Sequence, residues 1–396
     1  MVTTLTADRL AELVDGDESF ALVDTRPADS FESWHVPGAI HFPFGPDEAL
    51  DGRLEELRET VGDTARVVTI CAKGISSGTL ATQLASATDE YEIQAVDGGM
   101  KAWSGVYEAV EVDVGDGLVV VQVQRRAKGC LGYVVGCEAT GEAIVVDPTA
   151  DLEEFEVAAE EAGLTITGVI DTHVHADHVS GGRELADVLE VPYYLGEHAA
   201  GRDVQVAFTP LGRNEVLEVG ERELKALYTP GHTSDMLSLL VDDRALLTAD
   251  TLHAGSTGRT ELEFSEDSEA QRASEHSSGE AAREGETGAR LLYETLHRTI
   301  LAMPENVVVL PGHVAVSADG AFEHGAPGEP ITTTIRAART EMDALQLEEE
   351  AFVDRLAEAG EKPANYEAII DLNRGVDSKA PEERVELELG PNNCSA

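Results

Sequence analysis

The stretch THVHADH, residues 172–178, decides how this chain is read. It follows the apolar run TGVI and Asp171 and leads into Gly181-Gly182, so His173, His175, Asp177 and His178 share one short turn at a strand end. Alternating ligands on such a turn can surround an ion. Three further pieces follow in order, each closing an apolar strand: His232 in TPGHTSD (229–235), Asp250 in LLTAD (246–250) and His313 in VVVLPGH (307–313). Neutral imidazoles with carboxylates suit a borderline first-row metal such as zinc or iron. A single histidine reads as a core or surface residue; seven candidate ligands in four ordered motifs read as a metal site. The surrounding runs, LVVVQVQ, CLGYVVG, AIVVDP, ITGVI, VPYYL, LKALYT, LSLLV and RALLTAD, predict strands of an α/β sandwich whose polar strand ends carry the site. His198, His253, His276, His297 and His324 stand in no motif and read as structural or solvent-facing.

Outward toward the N-terminus the rhythm is different. FALVDTR (20–26), VVTIC (67–71) and YEIQAVDGG (91–99) alternate with helical patterns, which predicts an α/β unit with a parallel sheet. Cys71 ends the strand VVTI and opens the loop CAKGIS (71–76), after which SGTLATQLA begins a helix with Ser77 placed as its N-cap. A loop wrapped on a helix N-terminus aims backbone N–H groups at its centre; with the helix dipole this lowers a cysteine pKa and holds an anion. Cys71 therefore reads as a reactive thiolate, with Lys73, Gly74 and Ser76 around its substrate. The other reading is a small buried hydrophobe at a strand end.

The residues flanking that loop, DTRPADSFESWHVPGAIHFPF (24–44) and VDGGMKAW (96–103), resemble the signatures of the rhodanese family. The resemblance implies sulfane sulfur carried as a persulfide on Cys71, and a six-residue loop suits sulfur rather than phosphate. Where the family often has arginines this loop has Ala72 and Ser76, with Lys73 its one basic residue; that implies a persulfide or protein donor rather than thiosulfate. Asp24 and Arg26 read as a structural pair, and His35 as a turn hydrogen-bonder.

The ordered histidine and aspartate motifs resemble the metallo-β-lactamase superfamily, which implies an αββα sandwich. GRTEL (258–262), LLYETLHRTILAMP (291–304) and YEAIIDLNRG (366–375) resemble its persulfide dioxygenase branch, close kin of glyoxalase II. The resemblance implies one Fe(II) held by His173, His232 and Asp250, a triad that leaves three positions for persulfide and O2. His175, Asp177, His178 and His313 would then orient those ligands. Arg259 would position substrate or form a structural salt bridge. The alternative is a glyoxalase II-like hydroxyacylglutathione hydrolase in which all seven residues hold two Zn(II), Asp250 bridging, and a metal-bound hydroxide attacks a thioester. Rhodanese fusion is typical of the dioxygenase branch, although better-known members carry the domains in the reverse order.

The fold class expected is thus α/β: a rhodanese domain with a parallel sheet over 1–110, a linker over 111–117, and a metallo-β-lactamase sandwich over 118–396. Its core is expected to end near 320, with an acidic insertion at 265–290 and a helical tail at 331–396. Lys+Arg 28 against Asp+Glu 76 gives a formal net charge of -48, which repels nucleic acid and anionic membranes. Such acidity with 42% hydrophobic residues suits a halophilic type, folded where salt screens self-repulsion. Four scattered cysteines and the absence of a basic-then-apolar leader predict a cytoplasmic protein. The partners expected are a glutathione or γ-glutamylcysteine persulfide, O2 and a sulfane sulfur donor, with a homo-dimer left open.

Overall fold

The computed structural model describes residues 2–263, 285–357, 362–363 and 365–391. Most of the acidic segment 265–290, part of the tail, His276 and Cys394 lie outside the described residues. Residues 286–290, read as insertion, instead open the helix Glu286–Thr295, whose apolar face packs in the core.

The N-terminal sheet is parallel throughout, in the order Thr3–Leu5, Glu92–Val96, Arg66–Ile70, Ala21–Asp24, Ile40–His41. Its inner strands ALVD and RVVTI are nearly all apolar because helices cover both faces. Leu10, Leu22, Ile70 and Trp103 pack on one side, and Val23, Phe42, Leu57 and Leu80 on the other. Cys71 leaves the carboxyl end of the middle strand, where open parallel sheets place their ligand crevice.

The remainder is two facing sheets. The first runs in reverse chain order, from Thr209–Leu211 through Tyr193–Gly196, Thr165–Ile170, Glu142–Val146, Cys130–Cys137 and Leu118–Arg125 to Tyr107–Glu111. The second runs from Val216–Val219 through Arg222–Tyr228, Leu237–Val241, Ala245–Ala249 and Val308–Pro311 to Thr333–Thr334. Val120, Tyr133 and Ile144 of one sheet interdigitate with Leu224, Leu239 and Leu247 of the other. Phe155 and Leu185 cover the first sheet from outside, and Leu292, Leu296 and Phe352 the second, which completes the αββα layering.

Two expected boundaries shift. Tyr107–Glu111 pairs antiparallel with Leu118–Arg125, so the expected linker 111–117 closes a hairpin of the second unit, which starts at Tyr107. Thr333–Thr334 adds a strand beside Val308–Pro311, so the sheet outlasts residue 320 and the tail opens extended before turning helical. Arg126, its side chain 3% exposed, joins the units: it donates to Asp15 and Glu108 at 2.5 and 3.0 Å and lies over the Trp103 ring. Among the described residues no helix is long and apolar enough to cross a membrane.

Candidate functional site

The metal centre is assembled from strand ends. Thr165–Ile170 delivers the THVHADH turn, Ala245–Ala249 delivers Asp250, and Val308–Pro311 delivers His313. Hydrogen bonds fix the tautomers of two ligands. Thr172 Oγ1 donates to Asp147 Oδ2 at 2.9 Å, so it accepts from His173 Nδ1, also at 2.9 Å. His232 Nδ1 lies 2.6 Å from the carbonyl of Arg259 and must carry the proton there. Each imidazole is thereby left with a bare lone pair on Nε2, the atom a metal takes.

Those two Nε2 atoms and Asp250 Oδ2 are buried with no hydrogen-bond partner among the described residues. They converge: Asp250 Oδ2 is 3.3 Å from His232 Nε2 and 3.9 Å from His173 Nε2. Three orphaned acceptors facing one another would each cost about 1–3 kcal/mol if nothing satisfied them. A metal–ligand length of about 2.1 Å puts neighbouring donor atoms about 3–3.5 Å apart, so a small closing motion fits this set around one ion. Burial, then His175, holds His173 well below its ordinary pKa, and burial lowers His232, so both stay in the neutral form that ligates. Burial opposes ionisation of Asp250, but His313 and His232 outweigh it and hold the carboxyl well below the usual range.

Of the other four motif residues, His313 also groups with Asp250 and His253, and His175 Nδ1 and His178 Nε2 are buried with no hydrogen-bond partner among the described residues. His175 Nε2 faces Asp147 Oδ1 at 3.2 Å and groups with Asp147 and Asp171. His313 spans two carboxylates, Nδ1 at 2.5 Å from Asp250 Oδ1 and Nε2 at 2.8 Å from Asp177 Oδ2. With a carboxylate on each nitrogen it is held as the imidazolium, its pKa well above the ordinary value despite burial. Asp177, His178 and His313 share a second group, and its fourth member is Cys130.

Cys130 and His253 escape a motif reading. Cys130 opens the strand Cys130–Cys137 and bridges to His313, its Sγ 3.5 Å from Asp177 Oδ2. Burial and Asp177 push that thiol up, and His178 and His313 overcome them to bring it to about 7. His253 Nε2 lies 3.4 Å from Asp250 Oδ1, and its position three residues after Asp250 was the available signal. Asp147, which closes the strand AIVVD, was signalled in the same way.

Arg259 holds the centre by its main chain. Its guanidinium pairs with Glu261, Nε to Oε1 at 2.5 Å, and its carbonyl orients His232. Gly258 before it is required: a Cβ there would lie 2.0 Å from the carbonyl of Asp250. Asn373, in the LNRG of the tail, donates to the carbonyls of His175 and His178 at 2.9 and 2.8 Å and accepts from Ser180 N at 2.9 Å. His198 stacks on Tyr228, and His297 lies tilted against Tyr293.

In the N-terminal unit the helix after Cys71 is Ile75–Ala87 with Gly74 as its N-cap, so Ser77 sits inside the first turn rather than capping it. Its hydroxyl serves the sulfur instead, Ser77 Oγ donating to Cys71 Sγ at 3.2 Å beside Gly74 N at 3.1 Å. Burial disfavours the thiolate, but the bonds from Ser77 and Ser76 override it, and the Cys71 pKa falls below its ordinary value. The VDGGMKAW segment clasps the loop, Met100 N and Lys101 N donating to the carbonyls of Cys71 and Ala72 at 2.8 and 3.1 Å. Gly99 has φ +60° because a Cβ would lie 2.1 Å from the Cys71 carbonyl. Ser76 meets Thr25 Oγ1 at 2.9 Å, and Lys73 pairs with Glu386 of the tail at 2.5 Å. Asp24 and Arg26 form the expected buried pair at 2.7 Å, and His35 Nδ1 faces the Phe31 carbonyl at 2.9 Å.

Residues 126–313 match the metallo-beta-lactamase superfamily, and residues 6–105 match the rhodanese-like domain. A hydroxyacylglutathione hydrolase of Rhodopseudomonas palustris is 28% identical over 218 residues, 55% of this chain and 74% of the relative. The mitochondrial persulfide dioxygenase ETHE1 of Mus musculus is 23% identical over 198 residues, 49% of this chain and 68% of the relative. A metallo-beta-lactamase of Staphylococcus aureus superposes with TM-score 0.55 at 26% identity, covering 67% of this chain and 75% of that one. ETHE1 of Myxococcus xanthus shares the fold, with TM-score 0.51 at 24% identity over 64% of this chain and 97% of that one.

Proposed function

The chain belongs to the metallo-beta-lactamase superfamily with a rhodanese-like domain ahead of the metal-site domain, and from that premise we propose that it is an iron-dependent persulfide dioxygenase. The reading is supported by the convergence of three orphaned ligand atoms, on His173, His232 and Asp250, while His175 Nε2 and both nitrogens of His313 face carboxylates; His175 Nδ1 and His178 Nε2 are orphaned as well and are what a second ion would take. A bound Fe(II) would supply open positions for O2 and the persulfide sulfur side by side. The overall change is RSSH + O2 + H2O → RSH + sulfite + 2H⁺, the sulfane sulfur losing the four electrons that O2 gains.

What the chain's own residues do can be followed. Arg259 and Thr172 hold the two imidazoles with their lone pairs inward, and Asp250 adds one anionic oxygen. The ligand residues are at most 1% exposed, so bulk water is kept from the ligand atoms. His313 bridges Asp177 and Asp250, offsets part of their negative charge and holds a proton beside both. At the other site the Cys71 thiolate attacks a donor's outer sulfur, breaks its S–S bond and keeps the sulfur as Cys71–S–SH for transfer to a small thiol.

A second reading has its own support in the group formed by Cys130, Asp177, His178 and His313 and in hydrolase relatives. On that reading two metals act on a glutathione thioester. Parallel assays separate the two: Fe(II)-loaded protein with glutathione persulfide, read as sulfite, and Zn(II)-loaded protein with S-lactoylglutathione, read as hydrolysis. Sulfite with negligible hydrolysis is expected; hydrolysis without sulfite would move the chain to the second reading.

A further inference from the structure

Three adjoining cavities lie between the two sites. The first, about 540 Å³, is walled by Cys71, Ala72 and Arg26. The second, about 390 Å³, shares Arg26 and Ala72 with it and adds Ser33, Trp34, Lys101 and Leu389. The third, about 380 Å³, shares Ser33, Trp34 and Leu389 with the second and ends against Lys128 and Asp177; Asp177 meets His313, which in turn meets Asp250, while His173, His232 and Asp250 themselves do not line it. The domain contact holds these walls together: His35 N donates to the carbonyl of Ala318 at 2.9 Å, and Gly390 packs against the Trp34 indole.

Lys128 gives this cleft a ligand chemistry. It is 6% exposed, and its Nζ has the carbonyl of Glu388 at 3.3 Å as its hydrogen-bond partner, with no carboxylate in ion-pair range among the described residues. A buried ammonium is costly unless an anion meets it. In a chain with 76 acidic and 28 basic residues, a buried lysine left without a carboxylate is kept for a partner from outside. Lys101 adds a second cation toward the Cys71 end, while Trp34 and Leu389 offer apolar surface between them.

We infer that the cleft conducts a small, carboxylate-bearing thiol persulfide from Cys71 to the metal centre of the same molecule, with Lys128 holding its carboxylate at the metal end. The inference rests on the dioxygenase reading above. A thiolate RS⁻ attacks the outer sulfur of Cys71–S–SH; the S–S bond breaks, RS–SH forms, and Cys71 leaves as the thiolate with the bonding pair. The cleft is open to solvent along its length, and the product moves past Trp34 to the metal end faster than it exchanges with the bulk pool.

The test uses a sulfane donor carrying heavy-isotope sulfur, glutathione, and an unlabelled pool of glutathione persulfide. Wild-type, Fe(II)-loaded full chain is expected to form sulfite enriched above the pool. An equimolar mixture of Cys71→Ser and Asp250→Ala chains, which must exchange through solution, is expected to follow the pool. Wild-type sulfite that also follows the pool overturns the inference while leaving the dioxygenase intact. Failure of wild type to oxidise supplied persulfide overturns the dioxygenase reading and the route with it. Independently of turnover, glutathione added to the metal-free full chain carrying Trp103→Phe, which leaves Trp34 as its one tryptophan, should quench fluorescence saturably, and Lys128→Met should weaken that binding by about tenfold or more. The same variant should raise KM for supplied persulfide by a like factor with kcat nearly kept. Absence of quenching, or an unchanged affinity in Lys128→Met, removes Lys128 from the route.

Discussion

At Cys71 two effects of similar size oppose each other: the strand end that buries the sulfur disfavours its charge, and the first turn of the next helix favours it through Ser77, Ser76 and main-chain N–H groups. The balance falls on the side of the thiolate. Alkylation of Cys71 should therefore rise at lower pH than for an ordinary thiol, and Ser77→Ala, which removes a stabilising donor, should move the profile upward in pH. An unmoved profile in a folded variant would show that the backbone alone sets the thiol. A comparable dependence on one atom governs the metal centre, where a Cβ on Gly258 would strike the carbonyl of Asp250 and lie 3.0 Å from His232 Nδ1. Gly258→Ala should lose metal, measured as iron per chain after anaerobic loading, before it loses the fold. At this scale the motif residues were legible because each ends an apolar strand. Cys130 was not, since what makes it part of the site is a strand bridge to His313; for His253 the one signal was its place three residues after Asp250.

The tail shows what an element adds to a site it does not chemically enter. Helix Tyr366–Asn373 presents Asn373 to the carbonyls of His175 and His178, and Glu388 accepts from the main-chain N–H of Val179 while pairing with the buried Arg125 at 2.9 Å. The ligand turn is thus held from behind by two residues far away in sequence. Asn373→Ala should lower metal affinity by about 10–100-fold, the usual cost of losing a residue that orients ligands, and an unchanged affinity in a metal-competition titration would make the tail mere packing. Glu388→Leu strands the Arg125 guanidinium in the interior and should cost about 3–5 kcal/mol of stability, read as a drop in the thermal midpoint. Long apolar strands such as LVVVQVQ and CLGYVVG were plain in the sequence. Short or edge strands such as Ile40–His41, Tyr107–Glu111, Val216–Val219 and Thr333–Thr334 were not, because their pairing comes from the partner strand and their own pattern is polar or brief.

Across the whole molecule, charge is the dominant feature. A formal net charge of -48 must be carried on the surface of two packed units, whose clusters of buried apolar residues take no part in it. Raising KCl from about 0.1 to 1 M shortens the screening length from about 10 to about 3 Å, so self-repulsion is largely removed. The thermal midpoint should accordingly climb with KCl, and a flat response would mean that surface ion pairs such as Arg53–Glu56 and Arg290–Glu350 already contain the repulsion. The same surplus of negative charge gives Lys128 its weight, because the interdomain cleft is one place where an incoming carboxylate meets a cation. The order of the two domains was readable from motifs. Their contact was not, because it is made by Arg126 and the segment around Glu388, which belong to no motif, and by Trp34, whose rhodanese signature does not announce a partner surface.

The most direct measurement is oxygen uptake by anaerobically purified protein in concentrated KCl, supplied with Fe(II) and then with glutathione persulfide, with sulfite determined in the same samples. Uptake should depend on added iron, with one O2 consumed for each sulfite formed, and both should be lost in Asp250→Ala. Folded, iron-loaded protein that consumes no O2, or that consumes it without forming sulfite, would contradict the account.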